Sequence, residues 1–127
     1  WEVAKEAGAK AFEDRLWGDA VAHFTRAISL APHPVPHALF STRAAAHLQA
    51  GDPRAALADA DACLSLQPRD ATGLYRRGLA LLALERGEEA VVALRAARAL
   101  DPANVQVVGA LQRAEAAVGG AEGASAA

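Results

Sequence analysis

Three consecutive segments of this chain, Trp1–Pro34, His37–Asp70 and Ala71–Asn104, each run 34 residues and carry the same residue classes at the same places. Small residues recur at Gly8, Ala44 and Gly78, at Ala20, Ala56 and Ala90, and at Ala27, Cys63 and Ala97. Leu30, Leu66 and Leu100 recur as larger apolar residues, and Pro32, Pro68 and Pro102 close each unit. A sixth place holds Phe24, Ala60 and Leu94, with the middle copy the weakest match. A fixed period of this length means one supersecondary unit stacked on its own copies, because a single unit cannot bury its apolar face alone.

Within each unit the apolar spacing is helical, and the pattern breaks near residues 15–19, 51–53 and 86–88. Asp52-Pro53 reads as a helix start, with aspartate as the cap and proline in the first turn. The closing prolines stop each second helix, since proline lacks the donor and clashes with the preceding turn. The expected helices are 2–14, 18–31, 37–50, 53–66, 71–84 and 88–100, paired as three antiparallel hairpins. Small residues belong where paired helices cross most closely, so Gly8 is expected opposite Ala20 and Ala27. Composition agrees with an all-α fold: 35 of 127 residues are alanine, the strongest helix former, and only six are aromatic. Such a core must be thin and closely spaced.

After the third unit, Val107, Leu111, Ala114 and Val118 share one helical face with Val108 on its flank, so 105–118 reads as a closing helix. A stacked array exposes an apolar flank at its end, and a helix with one polar face covers it. Residues 1–118 then form one domain, and 119–127, opening on Gly119-Gly120, reads as a flexible tail or linker. The proline-rich stretch Pro32–Pro36 holds two residues beyond the period and reads as a local insertion.

Thirteen basic and fifteen acidic residues give a net charge of −2 and are spread along the chain, which argues against nucleic acid or an anionic membrane as partner. The longest apolar runs, such as Leu79–Leu84, fall far short of the roughly twenty residues of a membrane span. The opening Trp-Glu-Val-Ala-Lys-Glu reads as the start of an amphipathic helix, not a secretory signal. Cys63 is the single cysteine, which fits a reducing compartment and makes a cytoplasmic location the expectation. Cys63 also sits at a small buried place of the repeat, where packing is its expected role. His33 and His37 are separated by prolines that keep them off one helical face, so no metal or other cofactor is expected. Phosphate-binding glycine loops, paired catalytic carboxylates and a nucleophile beside a histidine are missing, which argues against an enzyme.

The period and its glycine, alanine and proline places resemble the tetratricopeptide repeat, over residues 1–104 with 105–118 as the usual solvating helix. That resemblance implies a right-handed superhelical solenoid and a role in protein–protein interaction. Lys5-Glu6-Ala7-Gly8 with Phe12, Phe40-Ser41-Thr42-Arg43-Ala44-Ala45, and Leu74-Tyr75-Arg76-Arg77-Gly78 are similar to the first-helix signatures of Hsp-organising-protein-like and myosin-chaperone-like co-chaperones. In those relatives two lysines, two asparagines and an arginine clamp the acidic C-terminus of a heat-shock chaperone. The matching positions here are Lys5, Ala9, Thr42, Thr72 and Arg76, of which Lys5 and Arg76 keep the family's residue. Thr42 is expected to donate through its hydroxyl, with Thr72, Arg43 and Arg77 as candidates to replace the missing donors.

First helices of stacked hairpins line the concave face. The expected groove is therefore Lys5, Ala9, Phe12 and Glu13; then Ala38, Ser41, Thr42, Ala45, Leu48 and Gln49; then Thr72, Tyr75, Arg76, Leu79 and Ala83. Tyr75 could stack on a ligand or fill the wall between hairpins. A mostly apolar groove with one lysine and one arginine suits a peptide combining an apolar anchor with a carboxylate. The competing reading is a structural scaffold or assembly domain of a larger protein that does not bind chaperone C-termini.

Overall fold

The computed structural model describes the backbone of residues 1–126 and the side chains of residues 1–119. Seven helices and no strands are found among these residues: α1 (Glu2–Glu13), α2 (Trp17–Leu30), α3 (His37–Gln49), α4 (Pro53–Leu66), α5 (Ala71–Ala83), α6 (Gly87–Leu100) and α7 (Val105–Ala126). Each helix packs mainly on the next; the first helices of the second and third hairpins, α3 and α5, also meet, and α5 touches the closing helix α7. This nearest-neighbour stacking is a solenoid of three hairpins.

Each first helix ends the same way. The N–H groups of Leu16, Asp52 and Arg86 donate back to the carbonyls of Ala11, His47 and Leu81 at 2.9, 2.9 and 2.8 Å. The residue before each of these donors is left-handed: Arg15 (φ 60), Gly51 (φ 84) and Glu85 (φ 60). Glycine adopts that conformation without a Cβ penalty, so the second hairpin turns without the strain that the other two carry. Second helices start on side-chain or backbone caps; Asp52 accepts from the Ala55 N–H at 3.2 Å, with Pro53 following as expected. Two further caps were not anticipated: Asp70 accepts from the Gly73 N–H at 2.8 Å, and Asn104 from those of Gln106 and Val107 at 3.0 and 3.3 Å.

The hairpin crossings correct one expectation. The nearest atoms to a Cβ on Gly8 would belong to the Phe24 ring, at 2.7 Å, instead of Ala20 or Ala27. Gly78 likewise lies against Leu94. Glycine on the first helix thus makes room for a large residue on the second. At the corresponding places of the middle hairpin, Ala44 and Ala60 are both fully buried, so two methyl groups replace the glycine and large-residue pair. The weak match at Ala60 is a change of partner sizes, not a defect.

α7 covers the third hairpin with Ala110, Leu111 and Ala114, all buried against Leu81, Ala90, Val91 and Leu94, and Val107 is buried one turn before Leu111. Its backbone stays helical past Val118 to Ala126, where a tail was expected. No proline interrupts this stretch, and its alanines favour a helix strongly enough to carry Gly119, Gly120 and Gly123. Ala127 lies outside the described residues.

Candidate functional site

Helices α1, α3 and α5 converge with Phe24 of α2 on a cavity of about 290 Å³. Its apolar walls are Ala9, Phe12, Phe24 and Ala45; its polar walls are Ser41, Thr42 and Thr72; its charged residues are Glu13 and Arg76. The structure therefore brings together eight of the expected groove residues: Ala9, Phe12, Glu13, Ser41, Thr42, Ala45, Thr72 and Arg76. Phe24 was read only as a repeat position, and its full burial against Gly8 is what carries its ring to the cavity floor.

Seven of the expected residues do not line it: Ala38, Leu48 and Ala83, and also Lys5, Gln49, Tyr75 and Leu79. Lys5 is exposed, one turn before Ala9 on α1, with its Nζ 5.7 Å from the centre of the Trp1 ring. Gln49 is exposed near the end of α3. Tyr75 and Leu79 pack against the buried cluster of the third hairpin and α7, so the tyrosine fills a wall. Its ring also lies under the Arg76 guanidinium, 5.2 Å from centre to carbon.

The two hydroxyls of α3 do not replace the missing donors, whereas Thr72 on α5 keeps its hydroxyl uncommitted at the rim. Ser41 Oγ and Thr42 Oγ1 both donate to the carbonyl of Ala38, at 3.0 and 2.7 Å, which spends their protons within α3. Arg43 and Arg77 are engaged outside the cavity. Arg43 makes a two-pronged pair with Asp59 on α4, Nε to Oδ2 at 2.8 Å and Nη2 to Oδ1 at 2.7 Å, and its Nη1 donates to Thr25 Oγ1 at 3.2 Å. Arg77 donates from Nε to Asp61 Oδ1 at 2.9 Å. Arg43 and Arg77 hold the same place in their units, as do Thr25 and Asp61 in theirs, so one contact is used twice to join a hairpin to the one before it.

Arg76 differs from both. Its Nε is buried and has no hydrogen-bond partner. Burial lowers the pKa of its guanidinium, opposed by the nearby Tyr75, yet arginine stays charged at neutral pH. A desolvated cation with an unmet donor at a cavity wall is a site for an anion.

A cysteine, an aspartate and a histidine do come together on the other side of α5. Asp70 Oδ2 accepts from Cys63 Sγ at 3.4 Å, and its Oδ1 lies 3.7 Å from His37 Nε2. The order is wrong for a nucleophile, since the aspartate rather than the histidine faces the thiol. Burial, reinforced by the Asp70 hydrogen bond and charge, pushes the Cys63 thiol up to about 12. It packs and does not react. Among the described residues no three His, Cys, Asp or Glu side chains are grouped to hold a metal ion, and no helix is long and apolar enough to cross a membrane.

No family model matches the chain. It is 39% identical over 100 residues to serine/threonine-protein phosphatase T of Trypanosoma brucei brucei, covering 79% of this chain and 21% of that protein. It is also 39% identical over 103 residues to the Hsp70-Hsp90 organizing protein of Triticum aestivum, covering 81% of this chain and 17% of that one. The chain thus spans about a fifth of the length of these curated relatives. Among solved structures it is similar to the first TPR of Spaghetti (RPAP3) bound to HSP90 peptide SRMEEVD, with a TM-score of 0.86, 26% identity, and 92% and 91% of the two chains covered. The TPR domain of Arabidopsis OM64 superposes with a TM-score of 0.83 at 31% identity, covering 89% of this chain and 92% of that domain. With the 34-residue period, the stacked hairpins and the closing helix in place, this chain belongs to the tetratricopeptide-repeat family.

Proposed function

We propose that the chain is a non-catalytic, cytoplasmic adaptor module of the co-chaperone kind, holding the acidic C-terminus of a heat-shock chaperone in its concave groove. The observation that carries this is Arg76, half-buried at the wall of the groove, with no carboxylate of the protein paired to its guanidinium among the described residues and its buried Nε unbonded. A carboxylate seated against that guanidinium supplies the counter-charge that the protein itself does not. Lys5, one turn along α1 from the cavity, would meet an acidic residue further up the peptide. The peptide-bound relative and the organizing-protein relative support a chaperone tail as that ligand. The phosphatase relative matches over a fifth of its own length, consistent with a binding module joined to a catalytic domain in that protein.

Calorimetric titration of the chain with SRMEEVD and with its C-terminal amide tests the carboxylate role. A hydrogen bond to a charged group contributes about 1.5–3 kcal/mol and 1.4 kcal/mol is tenfold, so amidation is expected to weaken binding at least tenfold. Equal affinities for acid and amide would sink the reading.

A further inference from the structure

This cavity carries one cation, enough to answer one carboxylate. Its charges are a single guanidinium and a single opposing acid, Arg76 and Glu13. The two hydroxyls on α3 that could serve a second carboxylate, Ser41 and Thr42, have given their protons to the Ala38 carbonyl. The two other arginines of α3 and α5 are bound to Asp59 and Asp61. What remains of the lining is the Thr72 hydroxyl at the exposed rim and an apolar set, Ala9, Phe12, Phe24 and Ala45. An arginine fork satisfies one carboxylate in two-pronged geometry, and a second carboxylate beside it would be stripped of water, offered one neutral hydroxyl in place of a second cation, and placed near Glu13.

We infer that the groove reads the last residue of its peptide by the main-chain carboxylate alone and takes an apolar side chain beneath it. It therefore prefers a peptide ending in leucine to one ending in aspartate. The cavity of about 290 Å³ has room for one such side chain with its carboxylate. This rests on the groove being a C-terminal peptide site, as proposed above. The energetic ground is that an apolar side chain gains by burial against Phe12 and Phe24, whereas an aspartate side chain loses its hydration for at most one bond to a neutral hydroxyl, that of Thr72.

The test is titration of the folded chain with three peptides: SRMEEVD, the same peptide ending in leucine (SRMEEVL), and the C-terminal amide of SRMEEVL. Leucine is expected to bind at least fivefold tighter than aspartate, and the amide at least tenfold weaker than its acid. Aspartate equal to or tighter than leucine, with amidation still weakening binding, overturns the apolar preference and leaves the carboxylate reading standing. Amidation without effect overturns both, as does failure of all three peptides to bind at millimolar concentration. Thr72→Lys gives a second, independent measurement by adding a cation to the exposed rim of the cavity, away from the core. It is expected to narrow or reverse the leucine preference, and an unchanged preference contradicts the idea that the missing cation causes it. A thermal melt shows whether the variant is folded.

Discussion

Arg76 and Arg77 are adjacent on α5 and serve opposite ends. Arg77 turns to α4 and pairs with Asp61 across the hairpin junction; its counterpart Arg43 reaches Thr25 at the equivalent junction and pairs with Asp59 inside its own hairpin. These contacts tie helix to helix, and the charges are answered within the protein. Arg76 turns the other way, into the groove, and its Nε finds no partner. A charge answered inside the fold is part of the scaffold; a charge buried and unanswered costs stability until something binds. The difference separates the outer seam of this solenoid from its inner, ligand-facing wall.

Arg43→Ala should show the largest effect, because it leaves Asp59, a carboxylate only 5% exposed, with His47 Nε2 at 3.6 Å in place of a two-pronged guanidinium. Breaking a buried pair by removing one partner costs about 3–5 kcal/mol, so chemical denaturation should show a loss of that order. Peptide affinity measured below the lowered midpoint should stay the same; a selective loss of affinity would move Arg43 to the ligand wall. Arg76→Met should do the reverse. It relieves an unmet buried donor and is expected to raise stability by about 1 kcal/mol while weakening the free-acid peptide tenfold or more. Destabilisation with affinity intact would make Arg76 a structural residue like its neighbour. The smallest expected effect is at the turn. Glu85→Gly places glycine where φ is 60, and should stabilise by about 0.5–1 kcal/mol with no change in peptide binding. A loss of stability there would mean that the Glu85 side chain contributes something the backbone argument leaves out.

The helices were largely legible because their boundaries are written in proline, glycine and a fixed period, and each observed end falls within about one residue of the expected one except at α7. There Gly119-Gly120 reads as a break, yet nothing in the stretch forbids a helix and alanine favours one. The groove was legible through helical phase. Ala9, Thr42, Thr72 and Arg76 lie on inward faces, and the same phase puts Arg43 and Arg77 about 100° round from Thr42 and Arg76, toward α4. Attention to that angle would have assigned the two arginines to the seam. Two features lay beyond a linear reading. Hydroxyl protons committed to Ala38 depend on rotamers, and the burial of Asp59 depends on Arg43 arriving from sixteen residues away. Phe24 could have been found from the size exchange with Gly8, a signal carried by two places of the repeat taken together.

The most direct measurement is a cycle that combines Arg76→Met with amidation of the peptide SRMEEVD, read by calorimetry on folded protein. If Arg76 holds the terminal carboxylate, amidation should cost the parent chain at least tenfold and the variant almost nothing, a coupling of about 1.5–3 kcal/mol. An amide penalty of the same size in both proteins would contradict the assignment of Arg76 as the carboxylate-binding residue of the groove.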